Sequence, residues 1–211
     1  MTLTLIILGV ACGIGCASVI NWLAQRLPKM IDGSEHQLPM HNHYPIVAII
    51  AALLGGLLMH RYGLSSAVLW PACFALILLT AAATDARSML LPDLLTLPLL
   101  WLGLLANLEG RFVPLDEAVL GAILGYLVLF IIALTFEWLF KKEGLGGGDM
   151  KLLAAMGAWL GWQVLMPVLF VAASIALIVA TVVFIIKRQT GPAPLGPYLA
   201  MSGMGFFWCM F

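Results

Sequence analysis

Lys141-Lys142-Glu143-Gly144-Leu145-Gly146-Gly147-Gly148-Asp149-Met150-Lys151 is a charged, glycine-rich stretch set between two long apolar runs, Ala118–Phe140 and Leu152–Met166. Its neighbours are hydrocarbon almost without interruption, so the stretch reads as a loop at the edge of a membrane. A carboxylate placed against hydrocarbon is costly and is a functional candidate by default. The glycines before Asp149 let the backbone leave helical geometry and come close to a neighbour. A second acid, Asp85, ends another apolar run, Ala81-Ala82-Ala83-Thr84-Asp85.

The composition agrees. The chain of 211 residues is 63% apolar and 9% charged, with a mean hydropathy of +1.08, whereas soluble domains are about a quarter charged. A core built from 211 residues cannot hide that much apolar surface, so lipid is the expected solvent. The formal net charge is zero and no basic block is present, which gives no reason to expect a nucleic-acid partner. Cys12, Cys16, Cys73 and Cys209 all lie in apolar runs and form no CxxC pair; they are expected to be buried free thiols, and no metal site is expected.

Measured against the roughly 20 apolar residues that cross a bilayer, eight spans are expected. They are Leu3–Leu23, Pro45–His60, Ser66–Thr84, Leu94–Leu108, Ala118–Phe140, Leu152–Met166, Val168–Ile186 and Leu195–Phe211. The first lacks the basic start and cleavage site of a signal peptide and reads as a retained helix. The fourth is short and contains Pro98, which suggests a tilted or re-entrant segment. Pro167 marks the expected break between the sixth and seventh. The fold class is therefore an all-α polytopic membrane protein, a bundle of about eight transmembrane helices in one domain, 1–211, with a short loop over 24–44.

Loop charge gives the expected orientation. With the N-terminus outside, Arg26, Lys29, Arg87, Lys141, Lys142, Lys151, Lys187 and Arg188 face the cytoplasm, and only Arg61 and Arg111 lie opposite. Both termini are then periplasmic, and Asp85, Asp93 and Asp149 share the cytoplasmic face. Trp159 and Trp162 would anchor at the outer interface.

Two carboxylates that share a proton can hydrolyse a peptide bond. The ionised one takes a proton from water, and the protonated one polarises the carbonyl and helps the amine leave. Asp85 and Asp149 are the candidate pair. Asp93 follows Leu91-Pro92 and is expected to cap the next helix. Glu143 falls in a solvated charge cluster, with contact to a basic substrate as the sharper reading. Lys151 either acts on a neighbouring aspartate or extends to the interface.

At these residues the chain resembles the type IV prepilin peptidase family, the leader peptidases of bacterial type IV pili and type II secretion. Gly146-Gly147-Gly148-Asp149 resembles the family's Gly-x-Gly-Asp motif, shared more distantly with prearchaellin peptidases and presenilin-type proteases. Four further stretches match in order: Ala17–Asn21 through Arg26-Leu27-Pro28, Leu91–Leu104 following Asp85, Lys142-Glu143-Gly144 through Lys151–Ala155 around Asp149 and continuing to Gly157–Gln163, and Leu195–Ala200. The resemblance implies catalytic residues at Asp85 and Asp149, supported by Gly146 and Gly148. It also implies a bacterial inner-membrane enzyme with its active site facing the cytoplasm, cutting prepilins or pseudopilins after the glycine that ends a short basic leader. No cofactor is implied for proteolysis. Many members also N-methylate the new terminus with S-adenosylmethionine.

The chain departs from the family between Gln25 and Tyr44, where many members carry two CxxC pairs. That segment has no cysteine here, only His36, His41 and His43, read as solvated loop residues, so methylation stays an open second activity. A proton-coupled transporter using the same acids is the alternative; the absence of an internal repeat and the placement of the acids at helix ends weigh against it. An idle assembly subunit is the third reading, and the presence of both aspartates weighs against that.

Overall fold

The structure, a computed structural model, describes residues 2–32, 44–141, 146–188 and 194–211. The described residues hold eight α-helices in chain order: α1 Thr2–Asp32, α2 Tyr44–Tyr62, α3 Leu69–Ser88, α4 Asp93–Ala106, α5 Leu115–Phe140, α6 Gly147–Leu160, α7 Leu165–Lys187 and α8 Gly196–Met210, with one 3-10 turn at Ser66–Val68. They fall into two compact units, Met1–Ser88 and Met89–Phe211.

The all-helical membrane expectation holds. Every backbone N–H and C=O in hydrocarbon needs an internal partner, and a helix supplies them within one segment. Five of the described helical segments are long and apolar enough to cross a bilayer: Leu3–Leu27, Tyr44–Tyr62, Ser66–Ser88, Leu115–Phe140 and Leu165–Ile186. The other three, α4, α6 and α8, have 14, 14 and 15 residues, about 21–22 Å at 1.5 Å per residue and short of a 30 Å hydrocarbon core. All three belong to the second unit. The expected short fourth segment is α4, with Pro98 inside it.

In the first unit α1 and α2 approach through small residues. A Cβ on Gly13 would run into the Ala51 carbonyl, and one on Gly9 into the Gly55 carbonyl. With no hydrophobic drive between helices in lipid, such close backbone contact is what holds them together. Ala17, Ile20 and Ala24 of α1 continue the same face onto Val47 and Ala51 of α2 and Ala83 of α3. α1 runs on to Asp32, so the start of the stretch read as a loop over 24–44 is helical; residues 33–43, with His36, His41 and His43, lie outside the described residues.

The second unit is built around α6. Met150 and every residue from Leu152 to Leu160 are buried, as expected of a helix apolar all round and enclosed by neighbours. Gly121 of α5 lies against Gly157 of α6, and Gly125 against Leu153 and Ala154, another pairing of small residues four apart. Asn107, fully buried, closes the far end. Its Nδ2 donates to the Ala158 and Trp159 carbonyls at 2.9 and 3.4 Å, and its Oδ1 accepts from the Phe112 and Val113 N–H groups at 3.0 and 3.2 Å. One side chain thereby serves the open carbonyls of α6 and the turn after α4.

Several details differ from the sequence reading. Trp159 is fully buried rather than an interfacial anchor. Gly103 leaves room for its ring, and its Nε1 donates to the Leu99 carbonyl at 2.8 Å. Trp162 is 45% exposed. The break after α6 comes at Gly161, with φ +81°, while Pro167 sits in the first turn of α7, where its missing N–H costs nothing. The cysteines are free thiols but none is buried: Cys12 and Cys209 are exposed, Cys16 and Cys73 half-buried. A thiol facing hydrocarbon needs no burial in protein.

Candidate functional site

Asp149 stands in the first turn of α6. Gly146 forms the N-cap in extended conformation, φ −72°, ψ 139°, and its carbonyl accepts the Asp149 N–H at 3.1 Å. A carboxylate in a first turn faces the positive end of the helix dipole and is favoured there. Gly147 and Gly148 are helical, so the turn needs no left-handed residue; the glycines serve another purpose. A Cβ on Gly148 would lie 2.5 Å from the Leu91 Cβ and 2.9 Å from the Leu91 carbonyl oxygen, whereas one on Gly147 would meet nothing. Gly148 is thus a point of close approach, and Gly146 lies under the carboxylate, its Cβ position 3.7 Å from Asp149 Oδ2. Asp149 is half-buried.

Asp93 and Lys151 meet. Lys151 Nζ donates to Asp93 Oδ1 at 2.5 Å, joining the N-terminal end of α6 to the first turn of α4. Two residues apart on one helix, Lys151 and Asp149 point to opposite sides, which is why Lys151 reaches α4. Asp93 is the first residue of α4, and the N-cap is Pro92; its carboxylate is engaged by Lys151 in place of the expected capping role. Glu143 lies outside the described residues.

In the first unit, Asp85 lies one turn before the end of α3 and is 4% exposed. The hydroxyls beside it are satisfied within the helix: Thr84 Oγ1 donates to the Thr80 carbonyl and Ser88 Oγ to the Thr84 carbonyl, both at 2.8 Å. Arg87 Nη2 donates to Asn21 Oδ1 and ties this end of α3 to α1. Sequence reasoning gave Asn21 and Asn107 no role. The available signal was the cost of an amide within an apolar run, which has to be met by partners.

Residues 72–182, just over half of the chain, match the type IV leader peptidase family. The chain belongs to that family. The matched region holds Asp85, Asp93, Asp149 and Lys151. Among curated relatives, the chain is 43% identical over 169 residues to a prepilin leader peptidase/N-methyltransferase of Aeromonas hydrophila, covering 79% of this chain and 58% of that protein. It is 49% identical over 167 residues to the protein of the same description from Dickeya chrysanthemi, covering 76% and 57%. For that of Pseudomonas aeruginosa the figures are 42% over 168 residues, 77% and 57%. The match thus spans under three-fifths of these relatives' length. No solved structure matches the chain significantly.

Two cavities bear on a cofactor. One of about 140 Å³ in the first unit is lined by apolar groups, Gly9, Cys16, Leu54 and Leu76 among them. One of about 350 Å³ in the second unit is lined by Leu97, Leu100, Ala122, Ile123, Tyr126, Lys151 and Ala154. Neither of these two cavities fits S-adenosylmethionine, whose ribose, adenine and amino-acid groups need several polar partners.

Proposed function

We propose that the chain is a membrane-embedded aspartyl endopeptidase of the bacterial inner membrane that removes the short basic leader of type IV prepilins or pseudopilins. The carrying observation is Asp149 held in the first turn of a buried helix, above Gly146 and with Gly148 against Leu91, in a chain that belongs to the leader peptidase family. Asp85 and Asp149 are read as the catalytic pair. The support is the order of the motifs along the chain and the chemistry of the residues, each carboxylate standing within its own unit.

One carboxylate, ionised, draws a proton from water, and the resulting nucleophile attacks the scissile carbonyl. The other, protonated, hydrogen-bonds the carbonyl oxygen and then gives its proton to the leaving amine. Like charges in close company cannot both ionise comfortably, so the pair titrates as a unit. No metal or cofactor enters these steps. The excess of basic residues on one side of the spans supports a cytoplasmic active site and periplasmic termini, and residues 1–211 are read as one functional domain. Methyl transfer from S-adenosylmethionine to the new terminus is carried as a second activity, by analogy with the relatives' names.

The test is incubation of a purified prepilin with the detergent-solubilised protein and S-adenosylmethionine, followed by mass spectrometry of both products. A cut directly after the leader glycine is expected. An intact substrate from a folded preparation would refute the peptidase, and an added methyl mass on the product decides the second activity.

A further inference from the structure

The three short helices of the second unit start at one level. The contacts of Gly121 with Gly157, and of Gly125 with Leu153 and Ala154, set an antiparallel register that puts Asp149 opposite Leu129 and Phe130 of α5. Leu91 beside Gly148 and Asp93 paired with Lys151 bring the start of α4 to that height. Gly203 lies against Met156, which brings Gly196, the start of α8, level with Asp149. The two long helices continue past this floor. α5 runs from Leu129 to Phe140, about 16 Å further. Ser202 Oγ donates to the Val168 carbonyl, so α8 begins opposite Ser174, and α7 continues to Lys187, about 19 Å further.

Both projecting stretches are apolar and exposed, as at Ile131, Trp138, Leu177 and Ile186, and both end on a basic residue in left-handed conformation, Lys141 and Arg188. α5 and α7 thus extend well beyond the level at which α4, α6 and α8 begin. An ion pair on an open protein surface contributes little because water screens it. The Asp93–Lys151 pair is of this partly exposed kind, with the Asp93 side chain 56% and the Lys151 side chain 34% exposed, so its contribution is the fixed geometry between α4 and α6 rather than a large energy.

We propose that Asp93 and Lys151 form a positioning clamp for Asp149. The pair fastens the N-terminal end of α6, just past the turn that holds Asp149, to the first turn of α4 and holds Gly148 seated on Leu91, which fixes the backbone from which the Asp149 carboxylate projects. Neither residue touches the scissile bond. The consequence for cleavage rests on the proposed function; the clamp itself concerns the second unit alone.

The test compares the full chain with Lys151→Met, Asp93→Asn, Lys151→Arg and the exchanged pair Asp93→Lys/Lys151→Asp. Two readouts are used: steady-state cleavage, and hydrogen exchange of the backbone from 146 to 151. The clamp predicts that each charge-removing variant loses tenfold or more in kcat with KM within twofold of wild type, and exchanges faster over 146–151. Lys151→Arg and the exchanged pair recover most of both. If the exchanged pair fails to accumulate, Lys151→Arg against Lys151→Met makes the same comparison. Wild-type kcat and wild-type exchange in Lys151→Met would overturn the clamp while leaving the peptidase standing. Wild-type protein that cuts no prepilin would remove the peptidase, and the exchange data alone would then decide the clamp.

Discussion

Replacing each glycine before Asp149 by alanine separates two explanations of the motif. If the glycines supply conformational freedom, all three substitutions should hurt. If they supply clearance, only Gly148→Ala should. An added Cβ at Gly148 would stand 2.5 Å from the Leu91 Cβ and 2.9 Å from its carbonyl oxygen. Ordinary contact begins near 3.4 Å, so α6 has to back away from the Leu91 backbone by roughly 1 Å, and a main-chain carbonyl cannot swing aside. Overpacking of this kind costs about 1–3 kcal/mol, and a 1 Å misplacement of a reacting group costs about a hundredfold in rate. Gly147 meets nothing and is helical, so Gly147→Ala should leave cleavage unchanged and stabilise by up to about 1 kcal/mol. Gly146→Ala adds an ordinary 3.7 Å contact with Asp149 Oδ2 and should fall between them. The assay is initial-rate prepilin cleavage by the solubilised variants, with thermal unfolding followed in parallel. Equal damage from Gly147→Ala and Gly148→Ala, or a harmless Gly148→Ala, would refute the clearance argument.

Three further outcomes follow from the packing. Gly157→Ala drives a Cβ into the Gly121 carbonyl and should lower unfolding stability by about 1–3 kcal/mol, measured by denaturation in detergent. Asn107→Ala strands the Phe112 and Val113 N–H groups it now serves and should cost more than about 2 kcal/mol; a shift no larger than that of an exposed substitution would contradict its role. Trp159→Phe keeps the ring but loses the bond to the Leu99 carbonyl, for a loss of about 1–2 kcal/mol in the same assay.

Hydropathy alone disclosed the membrane class, because 63% apolar content leaves no other solvent. It located all eight helices, yet it could not distinguish a helix surrounded by lipid from one surrounded by protein. α6 is apolar on every side in both cases, and only its length of 14 residues hints that it lies inside the second unit. The same limit misplaced Trp159: an indole near a helix end suits an interface, and the decisive feature was the clearance at Gly103, a residue 56 positions earlier. Pro167 misled because proline is tolerated in a first turn, whereas Gly161 carried the real break through its positive φ.

At the site, Asp149 stood out through its glycines and Asp85 through its place in an apolar run. The partnership of Asp93 with Lys151 stayed hidden because it joins residues 58 apart, and sequence spacing says nothing about which helix ends lie side by side. Asn21 and Asn107 were passed over although each is an amide in an apolar segment, the signal that a partner must be near.

The central claim is that Asp85 and Asp149 are a catalytic pair. The most direct measurement is prepilin cleavage by Asp85→Asn and Asp149→Asn, each purified from the membrane and compared with wild type by product mass. The account predicts that both accumulate and unfold like wild type while losing at least about a hundredfold in rate. Normal cleavage by either variant would contradict it.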